Sequence, residues 1–84
     1  MSHHATRDFW TCYRKLPEEV QQAADKGFAL LKDNPRHPSL RFKKVGEFWS
    51  ARVGSQYRAL AIEEAGGFIW FWIGTHAEYD RLLA

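Results

Sequence analysis

Glycine-bearing turns cut the second half of the chain into runs too short for anything but strands. Phe48 to Val53, Tyr57 to Glu63 and Phe68 to Ile73 are rich in aromatic and aliphatic residues. Gly54-Ser55-Gln56 and Glu64-Ala65-Gly66-Gly67 separate them. This punctuation predicts two consecutive hairpins, that is, an antiparallel meander. Phe42 to Val45, ahead of Gly46-Glu47, predicts one more short strand. Gly74 is expected to end the last strand, and His76 to Leu83 to form a short terminal helix.

The first half has helical periodicity. Over residues 6–15, Thr6 can cap a helix and Asp8 sits where the dipole favours an acid. Phe9, Tyr13 and Leu16 form one stripe. Leu16-Pro17 is a break, because the residue before proline is pushed out of the α region. The main helix is expected from Pro17 to about Asp33, with Glu18 and Glu19 near its start and Lys32 near its end. Val20, Ala23, Ala24, Gly27, Phe28, Leu30 and Leu31 make its apolar face. The two helices form an αα-hairpin. In the connector from Asn34 to Leu40, Pro35 and Pro38 are expected to prevent any regular element.

Helices grouped ahead of an antiparallel sheet indicate the α+β class. The expected architecture is an N-terminal helical hairpin packed on a small antiparallel meander sheet, with a short C-terminal helix. Eighty-four residues make one domain, 1–84. The polar start Met1-Ser2-His3-His4-Ala5 is expected to be disordered and to carry no signal peptide. A lone cysteine, Cys12, excludes an internal disulfide and a cysteine-based zinc site. That favours a reducing compartment and a cytoplasmic location. No apolar run approaches the ~18 residues of a membrane span. His3, His4, His37 and His76 lack helical ligand spacing, so neither a metal site nor a cofactor is expected.

The net charge of +2 is mild, but its distribution is not. Arg36, Arg41, Lys43, Lys44, Arg52 and Arg58 lie in one segment against a single acid, Glu47. The rest of the chain holds six bases and nine acids. A basic middle between acidic ends predicts a local anion site. A three-residue turn at Gly54-Ser55-Gln56 puts Arg52 directly opposite Arg58. Opposed like charges are destabilising, and an anion between them removes the cost. Arginine's fork of donors also suits phosphate, so the pair reads as a clamp for a phosphate or its transition state. Lys43 and Lys44 precede it and point to opposite faces, so only one can join. His76 stands at a strand-to-helix junction and can move protons near neutrality. Tyr79 and Asp80 lie three and four positions on, within its reach. By strand parity Trp49, Tyr57, Trp70 and Trp72 share one face. Leu60, Ile62, Ile69, Phe71 and Ile73 share the other with the arginines. The aromatics are expected in the core or against a protein partner rather than against bases.

These residues, in this order, resemble the RelE/ParE superfamily of toxins from bacterial type II toxin–antitoxin systems. The matching pieces are Leu16-Pro17-Glu18-Glu19-Val20, Asn34 to Leu40 with Lys43 or Lys44, and Trp49-Ser50-Ala51-Arg52-Val53. Tyr57-Arg58-Ala59-Leu60, Trp72 to His76 and Glu78-Tyr79-Asp80 complete the set, so the match spans about residues 6–83. The resemblance implies a cognate antitoxin as partner. The RelE-like branch implies ribosome-dependent cleavage of messenger RNA in the A site. The ParE-like branch implies inhibition of gyrase, and a degenerate toxin that only binds its antitoxin is a further alternative. For the nuclease, the implied catalytic residues are Arg52, Arg58 and His76, and the implied RNA contacts are Arg41, Lys43, Lys44 and Tyr79. The chain departs from the pattern in three places. The usual N-terminal strand is expected to be missing or very short. Ser50 stands where RelE-like nucleases often carry a lysine. No basic tail follows Leu83.

Overall fold

The computed structural model of the chain describes residues 2–83. Its elements are β1 (Ser2–Ala5), α1 (Arg7–Arg14), α2 (Glu18–Asp33), a 3-10 turn at Pro38–Leu40, β2 (Lys43–Val45), β3 (Phe48–Val53), β4 (Tyr57–Glu64), β5 (Gly67–Thr75) and α3 (His76–Leu83). The five strands form one sheet in the order β1-β5-β4-β3-β2. The strands β2 to β5 are the antiparallel meander, and β1 pairs with β5 in parallel.

Capping explains the helix boundaries. The Thr6 hydroxyl accepts from the Phe9 amide at 3.1 Å, closing the first turn of α1. Pro17 precedes α2, where its fixed φ suits helix entry. The prolines of the connector do not exclude regular structure altogether. Pro38 starts the 3-10 turn, where a missing N–H is no loss, and His37 Nδ1 accepts from the Ser39 amide. One face of the sheet carries the core with α1 and α2. Leu31, Leu40, Ala51, Val53, Ala59, Ala61, Phe68, Trp70 and Ile73 are buried there. Truncating Leu31, 4% exposed, to alanine is worth about 2–5 kcal/mol by the usual scale for buried leucines.

Three sequence expectations need correction. First, the N-terminus is not disordered over Ser2–Ala5, and the sheet is not a strand short. These residues pair with Gly67 to Trp70. Gly67 makes the pairing possible, since a Cβ there would collide with the Ser2 hydroxyl and lie 2.9 Å from the Ser2 carbonyl oxygen. His3 is packed rather than free. Its ring stacks on Phe68 with centroids 5.6 Å apart, and its Nδ1 accepts from the Trp70 indole N–H at 3.1 Å. Second, Gly74 does not break β5, which runs on to Thr75 because Gly74 and Thr75 still pair with Arg58 and Tyr57. Third, a β-bulge in β5 sets Leu60 against Trp72 and Ala61 against Trp70. The skipped residue, Phe71, shifts the alternation. Ile73 therefore turns to the helix side, and Trp72 turns to the face that carries the arginines.

Candidate active site

The face of the sheet away from α1 and α2 carries two cross-strand rows, since residues paired across strands share a face. One row is Arg52, Arg58 and Gly74. The next is Lys43, Ser50, Leu60 and Trp72. The three-residue turn thus sets the two arginines opposite each other, as its length requires. Arg52 is steadied by its own hairpin, its Nε donating to the Gly54 carbonyl at 2.8 Å. The Arg58 guanidinium lies 5.9 Å from the Tyr79 ring centroid. Among the described residues the one salt bridge joins His76 to Asp80, so no carboxylate neutralises either arginine. Two opposed cations without a counter-charge form a ready receptor for an anion.

The start of α3 brings His76 to the same end of this face. Thr75-His76-Ala77-Glu78 is a capping box. The Glu78 carboxylate accepts from the Thr75 amide and hydroxyl, both at 2.9 Å, and the Thr75 hydroxyl accepts from the Glu78 amide at 3.1 Å. The Thr75 amide, and then its hydroxyl, hold the Glu78 carboxyl below its usual pKa. The His76 amide donates to the Gln56 carbonyl at 2.7 Å, tying the helix to the arginine hairpin. The His76 Nδ1 lies 3.1 Å from the Asp80 carboxylate. That contact orients the ring and leaves Nε2 for proton transfer. Tyr79 neighbours both groups, its ring centroid 5.7 Å from that of His76.

The other candidate residues fall differently. Lys43 shares the arginine face through its pairing with Ser50. Lys44 pairs with Trp49 and lies on the helix face, away from the arginines. Arg41 is exposed just ahead of β2, at the opposite edge of the meander from β5 and α3. Ser50 is 2% exposed, so it supports the sheet and offers nothing to a ligand. The sequence alone also misplaced Trp72, because parity counting fails across a bulge and no residue type marks which position takes it. The concavity of about 270 Å3 between α1, α2 and the sheet is on the opposite side. Phe9, Tyr13, Phe28, Leu31 and Trp70 line it, and it is apolar. Arg52, His3 and His4 also border it, but Arg58, His76 and Tyr79 do not, so the arginine pair and its histidine meet only on the strand face. Among the described residues no three His, Cys, Asp or Glu side chains cluster as metal ligands, and no helix is long and apolar enough to cross a membrane.

Solved structures match the fold of this chain over nearly its whole length. The toxin–antitoxin complex RelB–RelE of Methanococcus jannaschii aligns over 96% of this chain and 99% of that one, with a TM-score of 0.75 at 12% identity. The fold is that of the RelE toxins. YafQ of Escherichia coli aligns over 93% and 96%, with a TM-score of 0.74 at 12% identity. The RelBE2 toxin–antitoxin complex of Mycobacterium tuberculosis aligns over 89% and 96%, with a TM-score of 0.67 at 18% identity. No protein-family model matches the sequence, and no curated protein matches it either. The chain thus shares the RelE fold with these structures at identities of 12% to 18%.

Proposed function

We propose that this chain is the toxin of a type II toxin–antitoxin pair and acts in the cytoplasm as a ribosome-dependent endoribonuclease. The observation that carries the reading is the unneutralised Arg52–Arg58 pair with His76 and Tyr79 at the same end of one sheet face. The RelE fold supports it. In the reaction, the 2′-hydroxyl of the substrate gives its proton to solvent water as its oxygen attacks the adjacent 3′-phosphorus, and the bond from that phosphorus to the 5′-oxygen breaks. The two arginines stabilise the charge of the phosphorane, and His76 Nε2 protonates the leaving 5′-oxygen. Lys43 holds the backbone. The products carry 2′,3′-cyclic phosphate and 5′-hydroxyl ends. With His76 serving as the acid, the proton of the 2′-hydroxyl passes to water, and the ribosome would orient the message for attack. A cognate antitoxin would be its partner, as three of the matching structures are toxin–antitoxin complexes, and would cover the basic face.

The test is a reconstituted translation system in which cuts in the message are mapped. Wild type is expected to cut within the A-site codon, and Arg58→Ala and His76→Ala to lose the cuts. An intact message with normal translation refutes the nuclease. It moves the reading to a non-enzymatic binder, whether a gyrase inhibitor or a degenerate toxin that keeps only its antitoxin.

A further inference from the structure

The bulge in β5 leaves an aromatic beside the arginines that the cleavage scheme does not use. Trp72 pairs with Leu60, one row from Arg58 and Gly74. Arg58 and Trp72 are thus diagonal neighbours, at about 7–8 Å between Cα atoms, within reach of long side chains. The indole folds toward Gly74. A Cβ on Gly74 would collide with Trp72 Cζ2 and lie 3.0 Å from its Cη2, so the benzo ring lies directly over the glycine. Trp72 is only partly buried. A flat, partly exposed aromatic therefore rests on the backbone that pairs with Arg58. A cation clamp with an aromatic plate beside it selects a ligand that is both anionic and aromatic, which is the chemistry of a nucleotide. Every base has a face to stack, whereas phosphate alone would make no use of the indole.

We propose that Trp72 is a base-stacking residue of this site. It would hold the nucleobase next to the phosphate bound by Arg52 and Arg58, with Gly74 kept side-chain-free so that the indole can lie flat. This rests on the reading of the face as an RNA site. It adds a residue that would set which nucleotide is gripped. Trp72 acts by positioning and takes no part in the proton transfers.

The test uses two single-stranded hexamers of equal phosphate count, both resistant to cleavage: 2′-O-methyl oligoadenylate and its abasic counterpart. Wild type is expected to bind the adenine oligomer more tightly. Trp72→Leu is expected to weaken that binding by about 5- to 150-fold, the range for loss of one base stack, and to leave the abasic oligomer unchanged. Trp72→Phe is expected to keep most of the preference, and Arg58→Ala to weaken both oligomers. Should Trp72→Leu fail to fold by circular dichroism, the Trp72 ring-proton shifts of wild type decide the matter. They are expected to move with the adenine oligomer and not with the abasic one. Equal binding of the two oligomers by wild type, binding of neither, or a folded Trp72→Leu that keeps the preference overturns the proposal. Failure of the nuclease reading is seen separately, as an intact message in the translation assay while the oligomer preference persists.

Discussion

Replacing His3 by phenylalanine removes one hydrogen-bond acceptor and keeps the aromatic ring. The His3 ring lies between Phe68, Trp70 and the edge of Phe28. Its Nδ1 accepts the indole N–H of Trp70, a residue only 5% exposed. In His3→Phe that donor has no partner, which costs about 1–3 kcal/mol. A chain of this size has a total stability of about 4–13 kcal/mol, so the change is a visible fraction. Thermal unfolding followed by far-UV circular dichroism at pH 7.5 is expected to show a fall of at least about 4 °C, since each kcal/mol is worth about 4–8 °C here. The effect also has a pH signature. Burial, then the amino-terminal charge, then Lys32 push the His3 pKa below its usual 6.5. The unfolded chain therefore binds the proton more readily than the folded one, and stability falls as pH drops below about 6.5. Protonation of Nδ1 also ends its role as acceptor. Wild type loses this contribution in acid and His3→Phe has none to lose, so the gap between them is expected to shrink at pH 5.0. Equal melting at pH 7.5, or a gap unchanged at pH 5.0, would refute the idea that His3 latches β1 to the sheet.

Other substitutions separate the parts of the account. Thr6→Ala removes the side-chain cap of α1 and is expected to cost about 1 kcal/mol in thermal unfolding. Gly74→Ala places a methyl group against Trp72 Cζ2 and 2.9 Å from Glu78 Oε1. In calorimetry it is expected to destabilise by about 1–3 kcal/mol, as overpacking does. Arg58→Gln relieves the opposed charges, worth about 0.2–1 kcal/mol. It is expected to leave melting unchanged or slightly raised, to reduce the stabilisation of the fold by added salt, and to lower message cleavage by about 10²- to 10³-fold. A large drop in melting for Arg58→Gln would mean that the arginine is structural.

What could be read from the sequence was local, and what could not was set by distant contacts. The turn Gly54-Ser55-Gln56 has one simple register, so the opposition of Arg52 and Arg58 followed from its length. Thr6 and Pro17 mark helix starts by the chemistry of the first turn. The first strand carried no such mark. Ser2-His3-His4-Ala5 has neither alternation nor a turn beside it, and its partner on β5 lies more than sixty residues away. The bulge was hidden for a related reason. Phe68 to Ile73 is apolar on both faces, so nothing in the residue types says where the alternation slips, and Trp72 and Ile73 exchanged faces as a result. The site was accordingly visible as a charge pair with a nearby histidine. Its aromatic floor, and the placing of Lys43 rather than Lys44 beside it, needed the register of the sheet.

Cleavage by the arginine face, as proposed above, runs through the substrate's own 2′-hydroxyl. The most direct measurement programs a ribosome with a message carrying one 2′-deoxynucleotide at the mapped cut site, next to an all-ribose control, and analyses the ends. The control is expected to yield 2′,3′-cyclic phosphate and 5′-hydroxyl ends, and the deoxy message to stay whole at that position. Cleavage of the deoxy message at the same bond would contradict this route.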